Sequence, residues 1–403
     1  MKNHGLRHFV TSVCLFLFVV LSFYGCGKSP EKTADKIQAF DSETGGSVIE
    51  YPGDHKLHDG PVARNDNFQE WLYWTGFPQD PEDGAQLAIL VTLFRSYDGG
   101  EFKHRYALNI FRLNGDGKQN DLSVNQVLKP LSASAGPTKN GKDMFVQYKG
   151  EGDGKDDADG SISITYFIGA DTWHVKADNG KTKNDLIALD LVFKPSSRGY
   201  VAESPSGIAF QGASSSKTAA YDQKNLRCLS YYYSAPRCTE TGFLSVGENK
   251  ITVNDDTAWF DHQWGGFAQG CNAFNYNWIG ARLNNGDRFM VRDWRNSLGQ
   301  SDPQFRRLAF FPKNGTPKYW QGTEAFELTE LSSYTDPESK KTWGLIYNMI
   351  SPAGNYRLEP ICYADQYPYK YWEGGMWVQK LHTNRTIGKV VGKAFLEQSQ
   401  ANR

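Results

Sequence analysis

An excess of charge of either sign is missing from this sequence: 44 Lys and Arg stand against 45 Asp and Glu, a formal −1 over 403 residues. Nothing in that balance attracts a polyanion, so nucleic acid is set aside as a partner. Neither a CxxC pair nor histidines at zinc-ligand spacing occur, and no metal is expected. G-x-S-x-G is absent, and Gly212-Ala-Ser-Ser-Ser lacks strand-turn-helix context, which leaves a serine hydrolase unsupported. The acidic loop 152–160 fails as a calcium loop, because aligning Gly160 with the EF-hand glycine puts Lys155 on the first ligand position and Tyr166 where a bidentate Glu belongs. No cofactor motif appears. Sustained helical periodicity is also lacking, apart from a short helical turn suggested near 122–127.

What is abundant is aromatic mass: 24 Phe, 21 Tyr and 11 Trp, enough for large cores and for an apolar site besides. Short alternating runs recur between Gly, Asn and Asp punctuation, at 87–94, 106–113, 162–168, 186–193, 288–294 and 344–349. Alternation of this kind predicts strands, and with 40 Gly for turns the class is all-β. The length suits two domains. Between Lys194 and Lys217 the alternation gives way to Ser, Gly and Pro, which places a boundary near residue 220. The halves 49–220 and 221–403 are each the size of a lipocalin-like antiparallel barrel able to hold one small ligand.

The first residues carry Lys2 and Arg7, then an apolar run from Val13 to Phe23, then Tyr24-Gly25-Cys26. That order is a signal peptide over 1–25 followed by a lipid-bearing Cys26. Residues 26–48 are polar and read as a flexible tether. The expectation is an exported protein of the cell envelope, lipid-anchored to a bacterial outer membrane or the periplasmic face. Four further cysteines, Cys228, Cys238, Cys271 and Cys362, lie in the second half, and Cys228 and Cys238 flank a run short enough for a bridged hairpin.

Three aromatic and acidic clusters stand out: Glu70-Trp71-Leu72-Tyr73-Trp74-Thr75-Gly76, Trp259-Phe260-Asp261-His262-Gln263-Trp264-Gly265 and Tyr371-Trp372-Glu373-Gly374. With Tyr51–His55, the Thr92–Arg95 strand, Tyr232–Arg237 and the 392–397 end, they occur in the order found in carotenoid 1,2-hydratases (hydroxyneurosporene synthase-like) and their AttH-type relatives. The chain resembles that family from about residue 50 to 398. The resemblance implies two consecutive lipocalin-like barrels. It further implies an activity such as addition of water to an isoprenoid or prenyl double bond, or ring closure by a cyclase.

The residues also speak for themselves. In an extended strand Trp259, Asp261 and Gln263 share one face while Phe260, His262 and Trp264 share the other, so Asp261 and His262 point apart. An Asp261 facing an apolar lumen beside Trp259 would have its pKa raised and could serve as a general acid. Trp259, Tyr233 and Tyr232 are the aromatic candidates for shielding a carbocation, and Gln263 or a tyrosine hydroxyl would hold the water. The competing reading has Asp261 merely accepting hydrogen bonds from Arg237 or the backbone. Glu70, Trp71, Tyr73, Tyr232, Arg237, Gln263, Trp264, Trp372 and Glu373 are the expected substrate contacts. His55 and His58 are read as surface or inter-domain residues. Function thus reads as a hydratase-like lyase on an apolar polyene or prenyl substrate. The alternatives are a lipid carrier without activity, a cyclase, or a carbohydrate-binding module.

Overall fold

The computed structural model describes residues 55–400 except 59–62, 65–67, 83, 114–118, 133–142, 151–159, 183–184, 198, 203–207, 211–228, 267–274, 296–299, 302, 337–339, 362–365 and 368–370. Cys26 with the residues read as a signal segment and tether, most of the acidic loop at 152–160, and Cys228, Cys271 and Cys362 lie outside the described residues. No helix among the described residues is long and apolar enough to cross a membrane.

The chain is all-β, two consecutive lipocalin-like antiparallel sheets. The first contains β1 (Phe68–Gly76), β2 (Gln86–Asp98), β3 (Glu101–Leu113), β4 (Gln119–Ser132), β5 (Asp143–Gly150), β6 (Ser161–Phe167), β7 (Thr172–Asp178), β8 (Ile187–Pro195), β9 (Val201–Ala202), β10 (Ile208–Phe210), β11 (Leu229–Val246) and β12 (Asn249–Gly266). From β1 to β8 each strand pairs with the next, and β11 pairs with both β12 and β8 while β12 pairs with β1. The ring is thereby closed into a barrel. All six runs read as strands are strands, and the stretch at 122–127 is β4 rather than helix, because its backbone pairs residue by residue with β3.

Local chemistry sets the register. Gly99 and Gly100, both at positive φ (62° and 89°), make the two-residue turn that puts Asp98 opposite Glu101. At the closure Gly242 (φ 139°) lies so close to β8 that a Cβ there would sit 2.1 Å from the Asp190 carbonyl oxygen. The inside is filled by side chains: Trp74, Trp173 and Phe260 lie 4.8–5.7 Å apart between ring centres, within a cluster that includes Leu72, Tyr166, Tyr233 and Trp264. Each such buried ring contributes roughly 1.5–3 kcal/mol.

The second sheet contains β13 (Asn275–Leu283), β14 (Arg288–Trp294), β15 (Arg307–Phe311), β16 (Lys318–Gln321), β17 (Glu327–Thr335), β18 (Thr342–Ser351), β19 (Gly354–Pro360), β20 (Gln366–Tyr367), β21 (Tyr371–Leu381) and β22 (Ile387–Gln400). Its order is β16-β15-β14-β13-β22-β21-β19-β18-β17, with β20 on β21. A separate core of Trp343, Leu345, Tyr347, Trp372, Leu396 and their neighbours covers one face.

The division expected near residue 220 does not separate the sheets. β11 and β12, at 229–266, complete the first barrel, and the handover falls between Gly266 and Asn275. The Ser- and Gly-rich stretch is a connection within the first sheet, contributing β9 and β10 to the flank of β11. Cys228, one half of the expected Cys228–Cys238 bridge, lies outside the described residues, and Cys238 is a buried free thiol in the bulge of β11, its Sγ donating to the Ala235 carbonyl.

Candidate functional site

Two adjacent strands, β1 and β12, each present one face to the barrel interior and the other to the second sheet. Their register places Tyr73 opposite Asp261, Trp71 opposite Gln263 and Thr75 opposite Trp259. On the other side of β12, Ser234 lies opposite Asp261 and Tyr232 opposite Gln263. One row therefore reads Tyr73, Asp261, Ser234. The second sheet aligns Arg292, Trp278, Glu397 and Glu373 across β14, β13, β22 and β21.

The two rows meet. Tyr73 donates its hydroxyl to Glu373 at 2.6 Å, Trp278 donates its indole N–H to the Tyr232 oxygen at 3.1 Å, and Arg292 donates to Gln263 at 3.2 Å. Asp261 is buried among them. It accepts from Tyr232 (2.7 Å), Ser234 (2.5 Å) and the Trp259 indole (2.6 Å). Burial pushes its carboxyl up to about 6, against the pull of those three donors and of Arg292. Glu373 is held up by burial and by the neighbouring Glu397. Burial likewise raises Glu397, against a hydrogen bond from Tyr276 and the charge of Arg292. Trp278 stands edge-on to both Tyr73 and Trp259, at 5.8 and 5.9 Å. The result is a buried, aromatic inter-sheet row carrying three carboxyls.

The geometry corrects several expectations. Asp261 and Trp259 share a face and Asp261 and His262 point apart, as the alternation requires, but Asp261 faces the second sheet and not the lumen. Tyr233 faces the lumen and is no partner of Asp261. Arg237 does not anchor Asp261; it donates to the carbonyls of Gly286 and Phe311, fastening β11 to the second sheet. The Gln263 amide donates to Ser230 and accepts from Arg292. Trp71 is half-buried and stacks on Phe94, and Trp372 belongs to the second sheet's own core on the face away from Glu373.

Glu70 and Trp264 also turn inward, into a second polar cluster that the sequence reading missed. Glu70 lies opposite Arg95 and receives its Nε at 2.5 Å. His58 Nδ1 and His262 Nε2 approach Glu70 Oε1 at 2.6 and 2.9 Å. His262 Nδ1 lies 3.1 Å from the Tyr233 hydroxyl, which is 2.5 Å from His55 Nδ1. Burial alone would raise Glu70, but Arg95, His58 and His262 together hold it well below the usual carboxylate range. His55, read as a surface or inter-domain residue, is buried among the rings of Tyr166, Trp173, Tyr200 and Tyr233 because the segment before β1 enters the barrel. Nothing local in the sequence signals that entry.

No curated protein matches the chain. Among solved structures it resembles an AttH-type protein from Nitrosomonas europaea, at TM-score 0.66 and 17% identity over 89% of this chain and 99% of that one. It also resembles kievitone hydratase from Nectria haematococca, at TM-score 0.52 and 11% identity over 90% and 97%. Both likenesses are of fold. The AttH-like family model matches residues 43–399, nearly the whole of the two sheets, and the chain therefore belongs to the AttH-like family.

Proposed function

We propose that the protein is a hydratase-like lyase that adds water to a double bond of an isoprenoid or polyene held between its two sheets, with Asp261 as the acid. The observation that carries this reading is a buried carboxyl fixed by three donors and walled by Trp259, Trp278, Tyr232 and Tyr73. The reaction class comes from the family resemblance, and kievitone hydratase, similar in fold, bears a hydration in its name.

The Asp261 carboxyl delivers its proton to one alkene carbon, whose π pair becomes the new C–H bond. The other carbon is left as a cation. Indole faces favour such a charge, as do the neighbouring carboxyls. Trp278 suits that role better than Tyr232 or Trp259, whose rings are already covered by Arg292 at 4.7 Å and by Arg282 at 5.5 Å. A water oxygen then bonds to the cationic carbon, and its surplus proton returns to Asp261. One water is consumed and the acid is restored.

The same proposal has Cys26 acylated and the protein tethered in the cell envelope, on the strength of the charged start, the apolar run and the Gly25-Cys26 order. The test is to incubate the purified protein with prenyl and polyene lipids in oxygen-18 water and follow labelled alcohol by mass spectrometry. Asp261→Asn should slow product formation by about a hundred- to ten-thousandfold while lipid binding persists. An Asn variant with unchanged turnover, or one that loses binding, melting temperature and turnover together, refutes Asp261 as the acid.

A further inference from the structure

We propose that His58, Glu70 and His262, inside the first barrel, form a binding site for a divalent transition-metal ion of the zinc type. Their ligand atoms, His58 Nδ1, Glu70 Oε1 and His262 Nε2, all lie within 4.8 Å of one another. Both ring nitrogens already converge on a single carboxylate oxygen, at 2.6 and 2.9 Å. Ligand atoms around a tetrahedral zinc stand about 3.3 Å apart, given bonds near 2.0–2.1 Å. An ion therefore enters by parting each nitrogen from the carboxylate oxygen by less than an ångström, taking the place of the ring protons that bind the carboxylate in its absence. Two imidazoles and one carboxylate make a set that leaves a coordination position to water or substrate.

The surroundings supply what a metal site needs beyond its ligands. Arg95 occupies Oε2, so Glu70 offers Oε1 as a single ligand oxygen. The second nitrogen of His262 is held by Tyr233, and Tyr233 by His55. Such outer partners fix the ring and its tautomer. A hydroxyl can accept from Nδ1–H of a metal-bound imidazole while donating to His55, so the chain runs in the required direction. The His58 ring lies flat on Trp264, at 4.3 Å and 14°, which sets its aim. Glu70 and His262 are fully buried while His58 is 19% exposed, so the ion has a way in past His58. The Arg95 cation opposes the ion, which makes this a site of moderate affinity. Its ligands come from the segment before β1, from β1 and from β12, so an ion would pin the entering segment to the barrel wall.

The test uses the full chain stripped with a chelator, then given Zn2+ or Co2+. Wild-type protein should retain about one zinc per chain through gel filtration, melt at a higher temperature with zinc than without, and show the visible d–d bands of four-coordinate Co2+. His58→Ala, which alters the least buried ligand, should fold cooperatively yet bind zinc at least about tenfold more weakly, and His262→Gln should do the same. Wild-type protein that retains no zinc, or a His58→Ala protein that binds it as tightly as wild type, overturns the assignment.

Discussion

Glu240 is buried in β11, and burial together with the charge of Asp255 pushes its carboxyl from 4.5 up to about 8, with Arg282 pulling the other way. The folded protein therefore holds this proton more tightly than the unfolded chain. Between about pH 4.5 and 8 the folded state binds the extra proton, so stability falls as pH rises through that window and levels off above it. At 1.36 kcal/mol per pH unit the loss is about 5 kcal/mol, an order-of-magnitude figure that is a large share of a typical folding free energy. Glu240→Gln removes the titration but keeps the shape. Its amide carries a constant cost of about 1–3 kcal/mol wherever its groups lack partners. Urea unfolding of both proteins at pH 5 and pH 9 separates the two effects: the variant is the weaker at pH 5 and the stronger at pH 9. Stabilities that fall in parallel with pH would show that Glu240 keeps an ordinary pKa, and the argument from burial would fail.

Gly242→Ala should cost about 1–3 kcal/mol or more, read as a drop in the urea midpoint, because its Cβ would press on the Asp190 carbonyl where the barrel closes. Tyr73→Phe should cost about 1–3 kcal/mol by leaving the buried Glu373 short of its donor, with Thr92→Ser on the neighbouring strand as a mild control in the same thermal melt. Cys26→Ser should move the protein from the membrane pellet to the soluble fraction and abolish labelling by a fatty-acid probe; a variant still in the washed pellet refutes the anchor.

Much of this was legible in the sequence, and the reasons differ by residue. Alternation separated Asp261 from His262 correctly, because a strand has no freedom to do otherwise. It could not say which face looks inward, since the end of β12 is buried on both sides, from Ala258 to Gly265. The inter-sheet row was half visible: Tyr73, Asp261 and Glu373 sit in the aromatic clusters and Glu397 closes the 392–397 segment, while Trp278 and Arg292 sit in strands without any motif. The Glu70 cluster was hidden for another reason. Its members at positions 58, 70, 95 and 262 share no spacing; the pairing of β1 with β12 and β2 joins the last three, and the segment before β1 brings His58 to them. The misplaced boundary has a third cause, that a Ser- and Gly-rich loop marks a long connection without revealing which sheet the next strand joins.

The closure of the first barrel imposes a waiting time on the growing chain. β1 is made early, yet its partner β12 follows on the order of two hundred residues later, Phe68 lying opposite Gly266. At about 5–20 residues per second that interval is on the order of ten to forty seconds. Throughout it one backbone edge of β1 and the inward faces of Leu72 and Trp74 have no β12 to cover them. A nascent chain in that state is an aggregation hazard and a substrate for any factor that binds extended apolar segments, so yield should depend on such factors far more than the stability of the finished barrel would suggest.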